Sequence, residues 1–167
     1  LMGACDDIKK IEEETEQGNY EEYDKAVCNT NYITTAKDPV VANVIASTNE
    51  ILIYDKKTFT MSRNKVNLNR DLHGIEFFLD GCRTALVNDK LFITGGRDAI
   101  QQYNIVLEYD YKKNYIKSLA PMKNKRAYHT MVFDQVIMKL FAIGGENNKT
   151  CEELDLFRGI WEPLPEL

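Results

Sequence analysis

The 167-residue chain is 44% apolar and 28% charged, carries a formal net charge of −5, and has no apolar run near the roughly 20 residues that cross a bilayer, so membrane insertion is not expected. The charge is concentrated at one end: residues 1–25 hold nine acids against three lysines, leaving 18 of the 21 basic and 17 of the 26 acidic side chains to the remainder. A nearly neutral body without a basic stripe argues against nucleic acid as a ligand, because neutralising phosphates takes clustered Lys and Arg.

In chain order, Leu1, Met2, Ala4, Cys5, Ile8 and Ile11 fall at three-and-four spacing with acids between them. This predicts an amphipathic acidic helix over residues 1–18, ended by Gly18-Asn19. Its apolar face is in register from Leu1 and no initiator Met precedes it, so a segment of a longer polypeptide is expected, with any targeting signal outside it. The helix either packs on the body or continues an upstream coiled coil. From about Tyr32 the texture changes to short β-branched and aromatic runs between turn residues. YITTA, VVANVIAS, EILIYD and TFTMS come first, then TALV, KLFITGG, IVLEYD, YIKSL, HTMVF, LFAIGG and CEELDL. Such spacing predicts an all-β body.

Cys5, Cys28, Cys82 and Cys151 form no C-x-x-C pair and have no His at metal-ligand spacing, so neither a zinc site nor any other metal or cofactor is expected. Reduced, mostly buried thiols of a cytoplasmic protein are the reading preferred over two disulfides.

A repeat organises the second half. RTALVNDKLFITGG (83–96) matches HTMVFDQVIMKLFAIGG (129–145), the second with three extra residues in its turn. Each double glycine is followed by a loop and an acid-apolar-acid strand, Glu108-Tyr109-Asp110 or Glu153-Leu154-Asp155. An aromatic comes next, Tyr115 or Trp161, and then an apolar-proline close, LAPM or PLP. An earlier unit shows through Tyr54-Asp55 and Phe59, without the double glycine; the place for that pair falls in NYITTAKDPV. The expected divisions are an acidic helix (1–18), a degenerate first unit with its connection (19–79), and two full units (80–125 and 126–167).

A period near 50 with four strands, a double glycine and a late aromatic resembles the kelch repeat, one blade of a β-propeller. The resemblance is specific over about residues 80–167. It implies an all-β fold of four-stranded antiparallel blades after the N-terminal α-helix. Each blade is covered on both faces by its neighbours, so the inner strands should be continuously apolar rather than alternating. Gly95, Gly96, Gly144 and Gly145 are then structural, granting positive φ and close approach. Tyr109 and Asp110 belong to the same framework, and Tyr115 and Trp161 should be buried between blades. Propellers close with about four to eight blades. The remaining blades are therefore expected from the rest of the chain or from a partner.

Catalytic signatures such as G-x-S-x-G, H-E-x-x-H and the P-loop are absent from the sequence. A metalloenzyme of the kelch class needs Tyr, His and Cys converging on copper, which two histidines, His73 and His129, make remote. The resemblance instead implies a non-catalytic scaffold that binds other proteins. One setting is a cytoskeletal, ciliary or other multiprotein assembly in the cytoplasm; the alternative is the substrate-recognition propeller of a BTB-kelch ubiquitin-ligase adaptor. In such propellers the residues after the double glycine and before the first strand hold the ligand. Here these are Arg97, Asp98, Glu146, Asn147 and Asn148, with Cys82, Arg83, Tyr128 and His129.

Overall fold

A computed structural model describes residues 40–68 and 74–167. The helix expected over 1–18 and the run YITTA lie outside them, as does His73. The described residues form eleven strands: β1 (Val40–Val44), β2 (Glu50–Asp55), β3 (Thr60–Lys65), β4 (Arg83–Val87), β5 (Lys90–Thr94), β6 (Val106–Asp110), β7 (Tyr115–Ser118), β8 (Thr130–Asp134), β9 (Lys139–Ile143), β10 (Cys151–Asp155) and β11 (Ile160–Leu164). Consecutive strands pair antiparallel into a first sheet β1-β2-β3, a middle sheet β4-β5-β6-β7 and a last sheet β8-β9-β10-β11.

Four of the hairpins close through one piece of turn chemistry. Asp55, Asp110, Asp134 and Asp155 each end a strand, and each Oδ1 accepts the backbone N–H groups two and three residues on, at 2.8–3.3 Å. The fifth residue then turns left-handed: Phe59 (φ 55°), Asn114 (48°), Met138 (55°) and Gly159 (67°). An aspartate that satisfies the turn's own backbone makes the reversal local.

The middle sheet is covered on both faces. Leu86, Leu91, Ile93, Leu107 and Tyr109 pack with Val40, Val44, Ile51 and Ile53 of the first sheet. The alternate residues Ala85, Val87, Phe92 and Val106 pack with Met131, Leu140, Leu154 and Trp161 of the last sheet. Only Lys90 of β5 reaches solvent, so KLFIT is buried as a continuous run. Polar groups pin the stack. Tyr109 hydroxyl donates to Asn114 Oδ1 (3.0 Å) and accepts from Asn64 Nδ2 of β3 (2.9 Å), and Asp110 takes Lys90 Nζ at 2.7 Å.

The ladders correct several expectations. In β9 the pattern alternates: Leu140 and Ala142 are buried, Phe141 and Ile143 only partly. No described element covers the face of the last sheet turned away from the middle one, and Val132, opposite Phe141, is 37% exposed.

Tyr115 is 59% exposed, whereas Trp161 is 3% exposed and donates its indole N–H to the Ala120 carbonyl at 3.1 Å. Tyr115 pairs with Asp110 and Ile116 with Tyr109, while Trp161 pairs with Leu154, so Ile116 holds the place of Trp161 and Tyr115 that of Ile160. One residue of offset moves a strand side chain to the opposite face. Phe59, likewise expected in the aromatic place, is a turn residue 75% exposed.

Arg83 pairs with Thr94 and Thr130 with Ile143, so Thr130, not His129, corresponds to Arg83. The β8–β9 turn is then two residues longer than the β4–β5 turn, not three. In the first sheet the residue in the place of Gly95 is Ile45, not one from NYITTAKDPV. Ile45 N–H donates to Glu50 O (2.9 Å) as Gly95 donates to Ile105 O (2.9 Å) and Gly144 to Thr150 O (3.0 Å).

Candidate functional site

At the end opposite the aspartate turns, the loops leaving the first and middle sheets are woven into the approach of the next sheet, and the loop leaving the last sheet into that sheet's own approach. All four paired glycines have positive φ, and two also mark close backbone passage. A Cβ on Gly95 (φ 61°) would stand 2.3 Å from Arg126 O, and one on Gly145 (φ 134°) 2.8 Å from Ala127 O. No L side chain fits such contacts without moving backbone. Gly96 N–H donates to Arg126 O (2.9 Å) and Glu146 N–H to Ala127 O (2.8 Å), while Arg97 and Asp80 exchange both backbone hydrogen bonds (2.7 and 3.1 Å).

This weave brings side chains distant in sequence onto one face. Arg97 donates through Nη1 to both oxygens of Glu146 (3.0 and 3.1 Å), and its Nε lies 3.8 Å from Asp80 Oδ2. The Tyr128 ring lies against Gly81, where a Cβ would come within 2.9 Å of it, and carries the Arg97 guanidinium at 5.4 Å and that of Arg83 at 5.8 Å. Tyr128 hydroxyl donates to Asp80, which holds the phenol above its usual pKa, with burial adding to the effect. Glu146 raises the Arg97 pKa in turn. Gln102 Nε2 donates to Glu146 O and Oε2 at 3.1 and 3.3 Å.

Of the residues expected to bind, Arg97, Arg83, Tyr128 and Glu146 thus converge. Asp98 stands beside them, its Oδ1 capping Ile100 and Gln101 N–H (2.7 Å each) and its Oδ2 accepting from Tyr103 hydroxyl (2.7 Å), which holds the carboxyl below its usual range. Asn147 is an exposed left-handed turn residue (φ 55°). Asn148 spends its Oδ1 on Thr150 N–H and Oγ1 (2.8 and 2.7 Å) and its Nδ2 on Lys125 O (3.1 Å), so it shapes the loop.

Cys82 and His129 are corrections. Both were expected on the exposed face, and both are buried, at 4% and 1% exposure. They precede the first paired residue of their strands and point inward, Cys82 beneath Gly96 and His129 between Gly95 and Gly145. Burial pushes the Cys82 thiol up to about 12, and burial with the nearby Arg126 and Arg83 cations pushes the His129 imidazole down to about 3. His129 Nε2 shares a 2.9 Å hydrogen bond with Thr94 Oγ1.

Beneath the face lies an ion pair that composition did not announce. Arg126 and Glu152 are both fully buried and joined at 2.5 Å. Arg126 also donates to the carbonyls of Gly144 and Thr150 (2.8 Å each), and Glu152 accepts Lys123 and Asn124 N–H (2.7 and 3.2 Å). Adjacent acids in a strand, Glu152-Glu153, signal that one of them points inward. Asp80 and Gln102 were missed as well. So was the segment 74–80 (GIEFFLD), which lines a cleft of about 600 Å³ together with Arg97, Asp98 and Tyr103. Two adjacent phenylalanines between turn residues were its signal.

No family model matches the chain, and no curated protein matches it. The solved structure of YjhT is similar with a TM-score of 0.62 at 15% sequence identity, over 83% of this chain and 50% of that one. The chain thus spans about half of YjhT's length, and at that identity the likeness bears on the fold.

Proposed function

We propose that the chain is part of a kelch-type β-propeller and works as a non-catalytic protein-interaction scaffold. The propeller reading is supported by sheets of one meander pattern stacked face to face, by glycine pairs in equivalent places, and by the likeness in fold to YjhT. In it, each sheet is a blade, and a further blade covers the open face of β8-β9-β10-β11.

The observation that carries the binding reading is the constellation of Asp80, Arg97, Tyr128 and Glu146, joined by contacts between residues up to 49 apart in sequence. Pre-ordered charged and aromatic side chains lose little freedom when a partner covers them, which is what interface anchors need. Among the described residues, Cys82 and His129, groups suited to nucleophilic or acid–base chemistry, are instead buried, the thiol strongly raised and the imidazole strongly lowered in pKa. That supports a non-catalytic role.

Affinity purification of the full chain from its own cells, followed by titration of the recovered partner, tests the reading. Arg97→Ala and Tyr128→Phe are expected to fold normally, and Arg97→Ala to weaken binding about thirtyfold. Normal binding by both folded variants would overturn it.

A further inference from the structure

The cleft beside this constellation has a chemistry of its own, and we infer that it receives a basic side chain, Lys or Arg, from the protein partner. The inference rests on the protein-binding reading above and adds the kind of residue recognised.

Its position is fixed by the backbone. Phe78 N–H donates to Thr48 O (2.7 Å) and Ser47 N–H to Phe78 O (2.8 Å), which straps residues 74–80 to the first sheet, while the Asp80–Arg97 bridge holds the far end. Phe78 is consequently buried at 1% exposure and its neighbour Phe77 is turned outward at 54%. A phenylalanine held in solvent by a pinned backbone cannot hide by local rearrangement. It offers an aromatic wall to the cleft, with Leu79 and Tyr103 alongside.

The charges on the walls select the guest. Among the described residues, Glu76, Asp80 and Asp98 line the cleft against one cation, Arg97, whose charge is already met by Glu146 and Asp80. Glu76 is exposed and has no ion-pair partner among the described residues. The lining is therefore net negative, which disfavours an anionic guest and favours a cation. A volume of about 600 Å³ is within the range of small-ligand pockets and larger than one side chain fills, leaving room for the flanking peptide. A lysine or arginine satisfies both features at once. Its aliphatic stem lies on Phe77 and Leu79, and its charged head reaches the carboxylates and the aromatic faces.

A random linear peptide library displayed on phage and selected on the immobilised full chain supplies the probes. Selected peptides are expected to be enriched in Lys or Arg next to an apolar residue. In titrations of those peptides, Glu76→Gln should weaken binding about fivefold and Phe77→Ala about tenfold. Thermal unfolding should be unchanged, since both side chains are exposed in the free chain. Selection without basic enrichment, or peptides indifferent to both substitutions, overturns the inference. Peptides that ignore Glu76→Gln and Phe77→Ala but are lost on Arg97→Ala would sink the cleft assignment alone. Indifference to all three substitutions would sink the loop-face reading with it.

Discussion

Phe92 and Phe141 occupy the same place in the middle and last sheets, in strands that read KLFIT and KLFAI, yet Phe92 is 5% exposed and Phe141 stands partly in solvent. Their cross-strand partners differ in the same sense: Ala85 is 1% exposed and Val132 37%. Near-identical sequence therefore does not determine burial. What differs is the neighbour, since the last sheet covers Phe92 and no described element covers Phe141. A strand apolar on both faces is written for two neighbours, and β9 has one.

The difference is sharpest in core truncations. Phe92→Ala is expected to cost about 3–5 kcal/mol, the range for a fully packed aromatic, and Phe141→Ala about 1–2 kcal/mol, because less area leaves a packed environment. Denaturant unfolding of the full chain measures both. Equal costs would mean that the outer face of the last sheet is already packed in solution.

A second comparison sets the glycines of the two sheets against each other. Gly95→Ala combines positive φ with a Cβ 2.3 Å from a backbone oxygen and should cost about 3 kcal/mol or more. Gly144→Ala meets mainly the mobile end of Leu167 at 3.0 Å, so backbone strain of about 1–2 kcal/mol is expected. Unfolding midpoints that rank the two in the opposite order would contradict the weave of the loop face.

A further effect is a pH dependence confined to the covered side of the middle sheet. His129 has a folded pKa of about 3 against 6.5 when solvated. A base so depressed takes up its proton first in the unfolded chain. Its contribution to stability is therefore full above about pH 6.5 and falls by up to about 1.4 kcal/mol per pH unit below that, towards pH 3. Unfolding free energies between pH 7 and 5, compared with His129→Gln, isolate it. A variant with the same slope would show that His129 is not the group responsible.

The strands were legible because turn residues and β-rich runs are local signals. Aspartate turns made the ends of β2, β6 and β10 readable as Tyr54-Asp55, Tyr109-Asp110 and Leu154-Asp155. Faces were less legible. Aligning Tyr115 with Trp161, both aromatic, slips one residue and reverses inside and outside, while the true counterpart Ile116 is not aromatic. Position before a first strand placed His129 and Cys82 on the loop face, where one residue of register turns a side chain inward. Arg83, Arg97, Tyr128 and Glu146 were readable from their positions after a double glycine or before a strand. Asp80, Gln102 and the Arg126–Glu152 pair were not, because their partners are 17 to 48 residues away and only the crossing of loops brings them together.

The two ends of the sheets are built on different length scales, and this orders their assembly. An aspartate turn closes over two or three residues, so each hairpin can form as soon as its own strands meet. Arg97 and Glu146 are 49 residues apart and Tyr128 and Asp80 are 48 apart, so their contacts bear the loop-closure entropy of long segments and wait for the middle and last sheets to dock. The loop face is thus the last part of the molecule to form. Its completion reports that the sheets behind it are in place, and a half-folded chain has hairpins but no loop face.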